Sequence, residues 1–191
     1  SLKVIVTHNV PENEHAAPRN WNHRLEVVRN EHPKGFGANH NAAFSRCTTP
    51  FFCVVNPDIR LTTDPFPQLV GTLADRHVAA AGPLVRAPDG SAEDSARIFP
   101  TARGLFRKFL TKPTGPDYPF DQGAISVDWV AGMFMVLQAE AFRSVEGFDE
   151  RFFLYYEDVD LCRRLGAVGY SIFYEPAASI IHNARRASRR N

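Results

Sequence analysis

Apolar residues in this chain fall in short runs, each stopped by turn-forming residues, with stretches of helical spacing between them. LKVIV (Leu2 to Val6) is β-branched, ends in THNVPENE, and predicts a buried strand. LEVVRN (Leu25 to Asn30) predicts a second. In PKGFGANHNAAFSRC two glycines open a predicted helix from Ala38 to Arg46, and PFFCVV (Pro50 to Val55) predicts a third strand, stopped by NPD. DPFPQLVGTLADRH carries the start signals of a helix, with Asp64 as N-cap and Pro65 at the first helical position. HVAAAGPLV predicts a fourth strand.

From Arg86 to Ser126 the pattern dissolves into Pro, Gly, Asp and Arg, apart from a short predicted helix over Ala102 to Leu110. A loop of that length inside a compact domain is usually functional or mobile. Order returns in VDWVAGMFMVLQAEAFRSV, a predicted strand (Val130 to Leu137) feeding a helix (Ala139 to Val145). A helix from Val159 to Ala167, closed by Gly169, and two short strands in YSIFYEP and SIIH complete the chain. The alternation predicts an α/β domain with a largely parallel sheet flanked by helices, and one domain spanning 1–191.

Composition narrows the function classes. The chain has 191 residues, 44% of them hydrophobic and 23% charged, ordinary for a globular protein with a real core. A net charge of +1 gives no global field for nucleic acid, and no apolar run reaches the roughly 18 residues of a membrane span. Cys47, Cys53 and Cys162 form no CxxC pair, which suggests reduced thiols in a cytosolic protein.

Four stretches could carry chemistry. In VVNPDIRL, Asn56 and Asp58 lie just past the carboxyl end of a strand, the rim where open α/β sheets bind ligands. A carboxylate there suits Mg²⁺ or Mn²⁺, although an Asx-type turn with proline is the plainer account of the motif alone. GFGANHN allows close backbone approach and a helix N-terminus, but it is neither GxGxxG nor a P-loop, and alone it reads better as a tight turn. In FFLYYEDVDLCRRLGAVGY, bulky residues run into Glu157, Asp158 and Asp160. Capping at a helix start accounts for one acid. Desolvation and like charge beside Glu157 and Asp158 push the other way, toward a general base, and the aromatic run reads as a wall that dries it. Lastly, His182 precedes Arg185, Arg186, Arg189 and Arg190, whose guanidinium forks suit diphosphate as well as a solvated tail.

NPD after a strand, the run WVAGMFMVLQAEAFRSVEGFDERFFLYYEDVDLCRRL and the late His together resemble glycosyltransferase family 2, nearest its bacterial rhamnosyltransferase-like branch. The resemblance covers nearly the whole chain, and its most specific part is GFDERFFLYYEDVDLCRRL. It implies a GT-A fold, a Rossmann-like nucleotide-binding domain that uses a divalent metal and inverts the anomeric centre. On that likeness Asp58 matches the metal-binding acid, with Asn56 replacing the first acid of the DxD motif. Asp158 matches the general base, Trp129 and Gly132 the acceptor and donor-sugar segment, and His182 a late residue that supports metal or diphosphate. Gly35, Gly37 and Asn39 match the loop near the nucleotide.

Further expectations complete this reading. Asn9, in VTHN, stands where an acid usually helps read the base, and Arg185 joins the nucleotide-sugar residues. Glu157 and Arg97, the latter in DSARIFPT, join the acceptor and donor-sugar residues. LKVIVTHNVPE fits the family's second strand better than its first, so the chain is expected to lack the first strand and helix. The implied activity is transfer of a rhamnose-like 6-deoxyhexose from a nucleotide-diphosphate donor of the dTDP type to a cell-surface or lipid-linked glycan. It is expected in the cytoplasm, including the inner face of a membrane. A nucleotidyltransferase lacks its Gly-rich basic loop here; a degenerate, non-catalytic nucleotide-sugar binder or partner subunit is the alternative.

Overall fold

A computed structural model of the chain describes residues 2–10, 24–100, 116–120 and 122–183. Arg185 and the helix expected over Ala102 to Leu110 lie outside the described residues.

The strands are β1 (Lys3–His8), β2 (Arg24–Arg29), β3 (Phe51–Val55), β4 (Ile59–Arg60), β5 (Val78–Arg86), β6 (Ala96–Arg97), β7 (Ile125–Val127), β8 (Trp129–Val130), β9 (Phe134–Gln138) and β10 (Ser171–His182). The helices are α1 (Phe36–Phe44), α2 (Phe66–Thr72), α3 (Ala139–Ser144) and α4 (Glu157–Ala167). The main sheet has the order β3-β9-β5-β10-β4, with β7 paired to β10. Strands β3, β5 and β10 point the same way, because β9 lies antiparallel between β3 and β5 and β10 pairs with β5 in parallel. The sheet is therefore mixed, with β4, β7 and β9 running against β3, β5 and β10. β1 and β2 form a separate parallel pair, and β6 and β8 a short antiparallel one.

Alternation along β9 divides the core. Met135 and Leu137 join one buried cluster with Ala43, Phe142, Leu161 and Leu165, whereas Phe134 and Val136 join a second with Leu69 and Leu73. A strand's side chains alternate between faces, so α1, α3 and α4 cover one side and α2 the other. Edge-to-face aromatic contacts tie Phe44 and Phe148 to Phe142, at centroid distances of 4.7 and 5.3 Å. The three cysteines are free, and burial pushes the Cys162 thiol up to about 12, which leaves it an inert core residue.

Three expectations change. The strand expected over Val130 to Leu137 is interrupted after Val130, and Ala131, Gly132 and Met133 lie between β8 and β9. The two short strands expected near the end are one strand, β10, whose register against β5 shifts between Glu175 and Ser179 around Pro176. Asp64 acts at the helix start as expected, its Oδ1 accepting the Phe66 N–H at 3.0 Å, but Pro65 takes the cap position and the helix begins at Phe66.

Candidate active site

The interrupted segment Trp129–Met133 connects most of the candidate residues. Trp129 and Val130 pair with Arg97 and Ala96 across β8 and β6. The Ala131 N–H donates to Ser95 O at 2.8 Å. The Gly132 N–H donates to Asp158 Oδ2 at 2.9 Å, and Met133 O accepts the Asn56 N–H at 2.9 Å. Gly132 and Met133 thus fasten the acid of α4 and the NPD turn to adjacent residues.

Asp158 lies in the first turn of α4, and its second oxygen, Oδ1, accepts the Val159 N–H at 2.8 Å. Two backbone donors hold the carboxylate in one orientation, at a helix start where free N–H groups point at an acceptor. Asp160 in the same turn is engaged elsewhere, in an ion pair of 2.7 Å with Arg164. Glu157 differs from both. It is buried, its Oε2 has no hydrogen-bond partner, and burial, reinforced by the nearby Asp158 charge, raises its pKa.

The wall expected before these acids is not one. Phe153, Leu154, Tyr155 and Tyr156 are all exposed, the two tyrosines by 65% and 63%. Tyr155 and Tyr156 have φ of 71° and 69°, a left-handed backbone that is costly for aromatic residues and swings both side chains out of the core.

At the other corner, Asp58 sits in the turn after β3, and the pairing of β4 with the end of β10 sets His182 beside it. His182 Nε2 is 3.3 Å from Asp58 Oδ2, and the Asn183 N–H donates to Asp58 O at 2.8 Å. Asp58 Oδ1 is buried without a partner, an acceptor that a cation would satisfy. Among the described residues no group of three or more His, Cys, Asp or Glu is arranged to hold a metal ion. Asp58 and His182 therefore fit a divalent ion only with phosphate and water completing its shell, the usual manner for Mg²⁺ at nucleotide sites. Glu93, which the sequence reading passed over, closes this corner: His182 Nδ1 lies 2.9 Å from Glu93 Oε2. Its only sequence signal is an acid in the loop after a buried strand.

A polar cluster marks the ends of β1 and β2. Asn30 Nδ2 donates to Asn9 Oδ1 and Asn39 Oδ1 at 2.9 and 2.7 Å, and Asn9 also bonds both backbone groups of Lys34. Asn9 and Asn39 are thus brought together. Gly35 and Gly37 serve close packing within the chain. A Cβ on Gly35 would lie 2.8 Å from Phe153 O, and one on Gly37 2.8 Å from Phe148 Cβ. Arg97 lies over the Trp129 ring at 5.6 Å and pairs with Asp94 at 3.0 Å.

Comparisons with known proteins bear on family and fold. The family model described as Glycosyl transferase family 2 matches residues 10–134. An N-acetylglucosaminyl-diphospho-decaprenol L-rhamnosyltransferase of Mycobacterium tuberculosis is 34% identical over 152 residues, 72% of this chain and 48% of that protein. Rhamnosyltransferase WbbL of Escherichia coli is 31% identical over 166 residues, 81% of this chain and 63% of that protein. The chain thus spans about half to two thirds of the length of these relatives. Among solved structures, GalNAc-T7 with UDP, GalNAc and Mn²⁺ superposes with a TM-score of 0.70 at 15% identity, covering 95% of this chain and 37% of that one. That likeness shows the GT-A fold. This chain belongs to glycosyltransferase family 2.

Proposed function

We propose that this chain is the catalytic core of an inverting, metal-dependent glycosyltransferase with Asp158 as general base. The observation that carries the reading is the attachment of Asp158 and the NPD turn to the consecutive residues Gly132 and Met133. It ties Asp158 and the turn that carries Asp58 to one short segment, which supports a shared site. Support for the chemical class comes from family membership and from relatives named as rhamnosyltransferases.

The donor is a nucleotide-diphosphate sugar, with a 6-deoxyhexose such as rhamnose favoured, and the acceptor is a hydroxyl of a lipid-linked or cell-surface glycan. Asp158 takes the acceptor proton as the oxygen attacks the anomeric carbon. The bond from that carbon to the diphosphate breaks, and its electron pair leaves with the phosphate oxygen. Asp58 and His182 would hold a divalent ion, which would supply charge to offset that of the departing diphosphate. In this reading Asn9, Asn39 and Asn56 serve the nucleotide side. Trp129, Gly132, Arg97 and Glu157 shape the sugar side. No helix among the described residues is long and apolar enough to cross a membrane.

The test is transfer from a panel of dTDP-, UDP- and GDP-sugars to a polyprenyl-diphosphate-linked acceptor, with and without Mn²⁺. Metal-dependent transfer from one donor supports the reading. Donor binding without transfer to any acceptor favours the non-catalytic alternative.

A further inference from the structure

We propose that Glu93 is a positioning residue for the cation corner: it holds the His182 ring by Nδ1, so that Nε2 presents its lone pair beside Asp58. The proposal rests on the metal-dependent reading above. Neutral imidazole carries one N–H and one lone pair, and the nitrogen that meets the better acceptor keeps the proton. Both ring nitrogens of His182 face a carboxylate, but not equally. Nδ1 is 2.9 Å from Glu93 Oε2, within the ordinary range for a charge-assisted hydrogen bond, whereas Nε2 is 3.3 Å from Asp58 Oδ2, beyond it. The proton belongs on Nδ1, donated to Glu93.

The fold builds this contact deliberately from three elements. A hairpin after β5, closed by the Ala87 N–H donating to Ser91 O at 2.8 Å, returns the chain so that the Glu93 N–H donates to Val85 O at 2.8 Å. β10 runs beside β5 with Ile180 opposite Val85 and Ile181 opposite Arg86, which delivers His182 to the same rim. β4 fixes the other side of His182 through its pairing with Ile59, one residue after Asp58. The ring is then gripped between two carboxylates of different duty. The ring nitrogens point apart, so Glu93 cannot share an ion with Nε2; it sets the tautomer and the ring plane.

The experiment compares the wild-type chain with Glu93→Gln, Glu93→Ala and Asp58→Asn. Free Mn²⁺ is followed by electron paramagnetic resonance in the presence of dTDP or UDP, and the His182 tautomer by ¹⁵N NMR without metal. Glu93→Ala is expected to weaken Mn²⁺ binding by about 10–100-fold. Glu93→Gln is expected to recover most of it, because an amide oxygen still accepts from Nδ1. The wild type and Glu93→Gln are expected to show the Nδ1–H tautomer, which Glu93→Ala loses. A wild-type Nε2–H tautomer overturns the proposal, as does equal weakening by both Glu93 variants. If Asp58→Asn weakens Mn²⁺ binding and Glu93→Ala does not, the role of Glu93 fails while the cation reading stands. If wild type and Asp58→Asn bind Mn²⁺ alike, the cation reading fails and takes this role with it.

Discussion

Asp158 Oδ2 accepts the Gly132 N–H at 2.9 Å, joining the first turn of α4 to the break between β8 and β9. The break is what frees that N–H from the ladder. One residue later Met133 O receives the Asn56 N–H, so the same break also anchors the NPD turn. An interrupted strand here is a mounting for two acids from distant parts of the chain.

Removing either side chain of the cation corner should disable transfer without unfolding the domain. Asp58→Asn and His182→Ala are each expected to lower metal-dependent transfer on the order of 100-fold or more, since an ion on a leaving diphosphate is worth several kcal/mol. Transfer measured across a Mn²⁺ titration checks this, and chelation of the wild type should reproduce the loss.

Glu157 makes a signed prediction about pH. Burial raises its folded pKa above the unfolded value, partly opposed by its own backbone N–H, and the neighbouring Asp158 charge adds a smaller upward push. Its contribution to stability is fully present below the unfolded pKa and is lost as pH rises through the raised folded value. Glu157→Gln, which cannot ionise, should therefore gain thermal stability relative to wild type between about pH 4 and about pH 7.5. Melting curves at both values check it; a gap that stays constant or moves the other way counts against it.

Two glycine substitutions should differ in sign. Gly35→Ala pushes a methyl to 2.8 and 2.9 Å from the backbone O and Cα of Phe153, and backbone cannot rotate away. A loss of about 1–3 kcal/mol is expected from such overpacking. Gly71→Ala, within α2 and with nothing within 4 Å of the new methyl, should instead stabilise by roughly 0.4–1 kcal/mol. Denaturant unfolding of the two variants measures both.

Much of this architecture was legible in short-range pattern. β-branched runs stopped by turn residues announced β1, β2, β3 and β5, and the amphipathic spacing after Glu157 announced α4, two residues later than it begins. What the pattern hid were features set by long-range partners. Val130 to Leu137 is continuously apolar apart from Gly132, so nothing local marks the break that Asp158 and Asn56 exploit. Hydrophobicity promised burial for Phe153 to Tyr156, yet the left-handed backbone at Tyr155 and Tyr156 turns them outward. Gly35 and Gly37 suggested room for a ligand, and the nearest atoms proved to belong to Phe148 and Phe153, more than a hundred residues on. Glu93 gained meaning only when β10 brought His182 beside it. Asp58, His182 and Asp158 were named from family likeness more than from local physics; the fold sets His182 beside Asp58 and ties Asp158 to Gly132, and the roles themselves are what the substitutions above test.

The most direct measurement is Asp158→Asn, assayed for donor binding by calorimetry and for transfer on the same preparation. Asparagine offers one oxygen where two backbone N–H groups now find acceptors, so a modest stability loss of about 1–3 kcal/mol accompanies the change. Mn²⁺-dependent donor affinity should stay within a few-fold of wild type, because the nucleotide and cation groups are untouched, while transfer falls by about 10²–10⁴-fold. Transfer at the wild-type rate in this variant would contradict the account, and so would transfer that falls only as far as donor binding does.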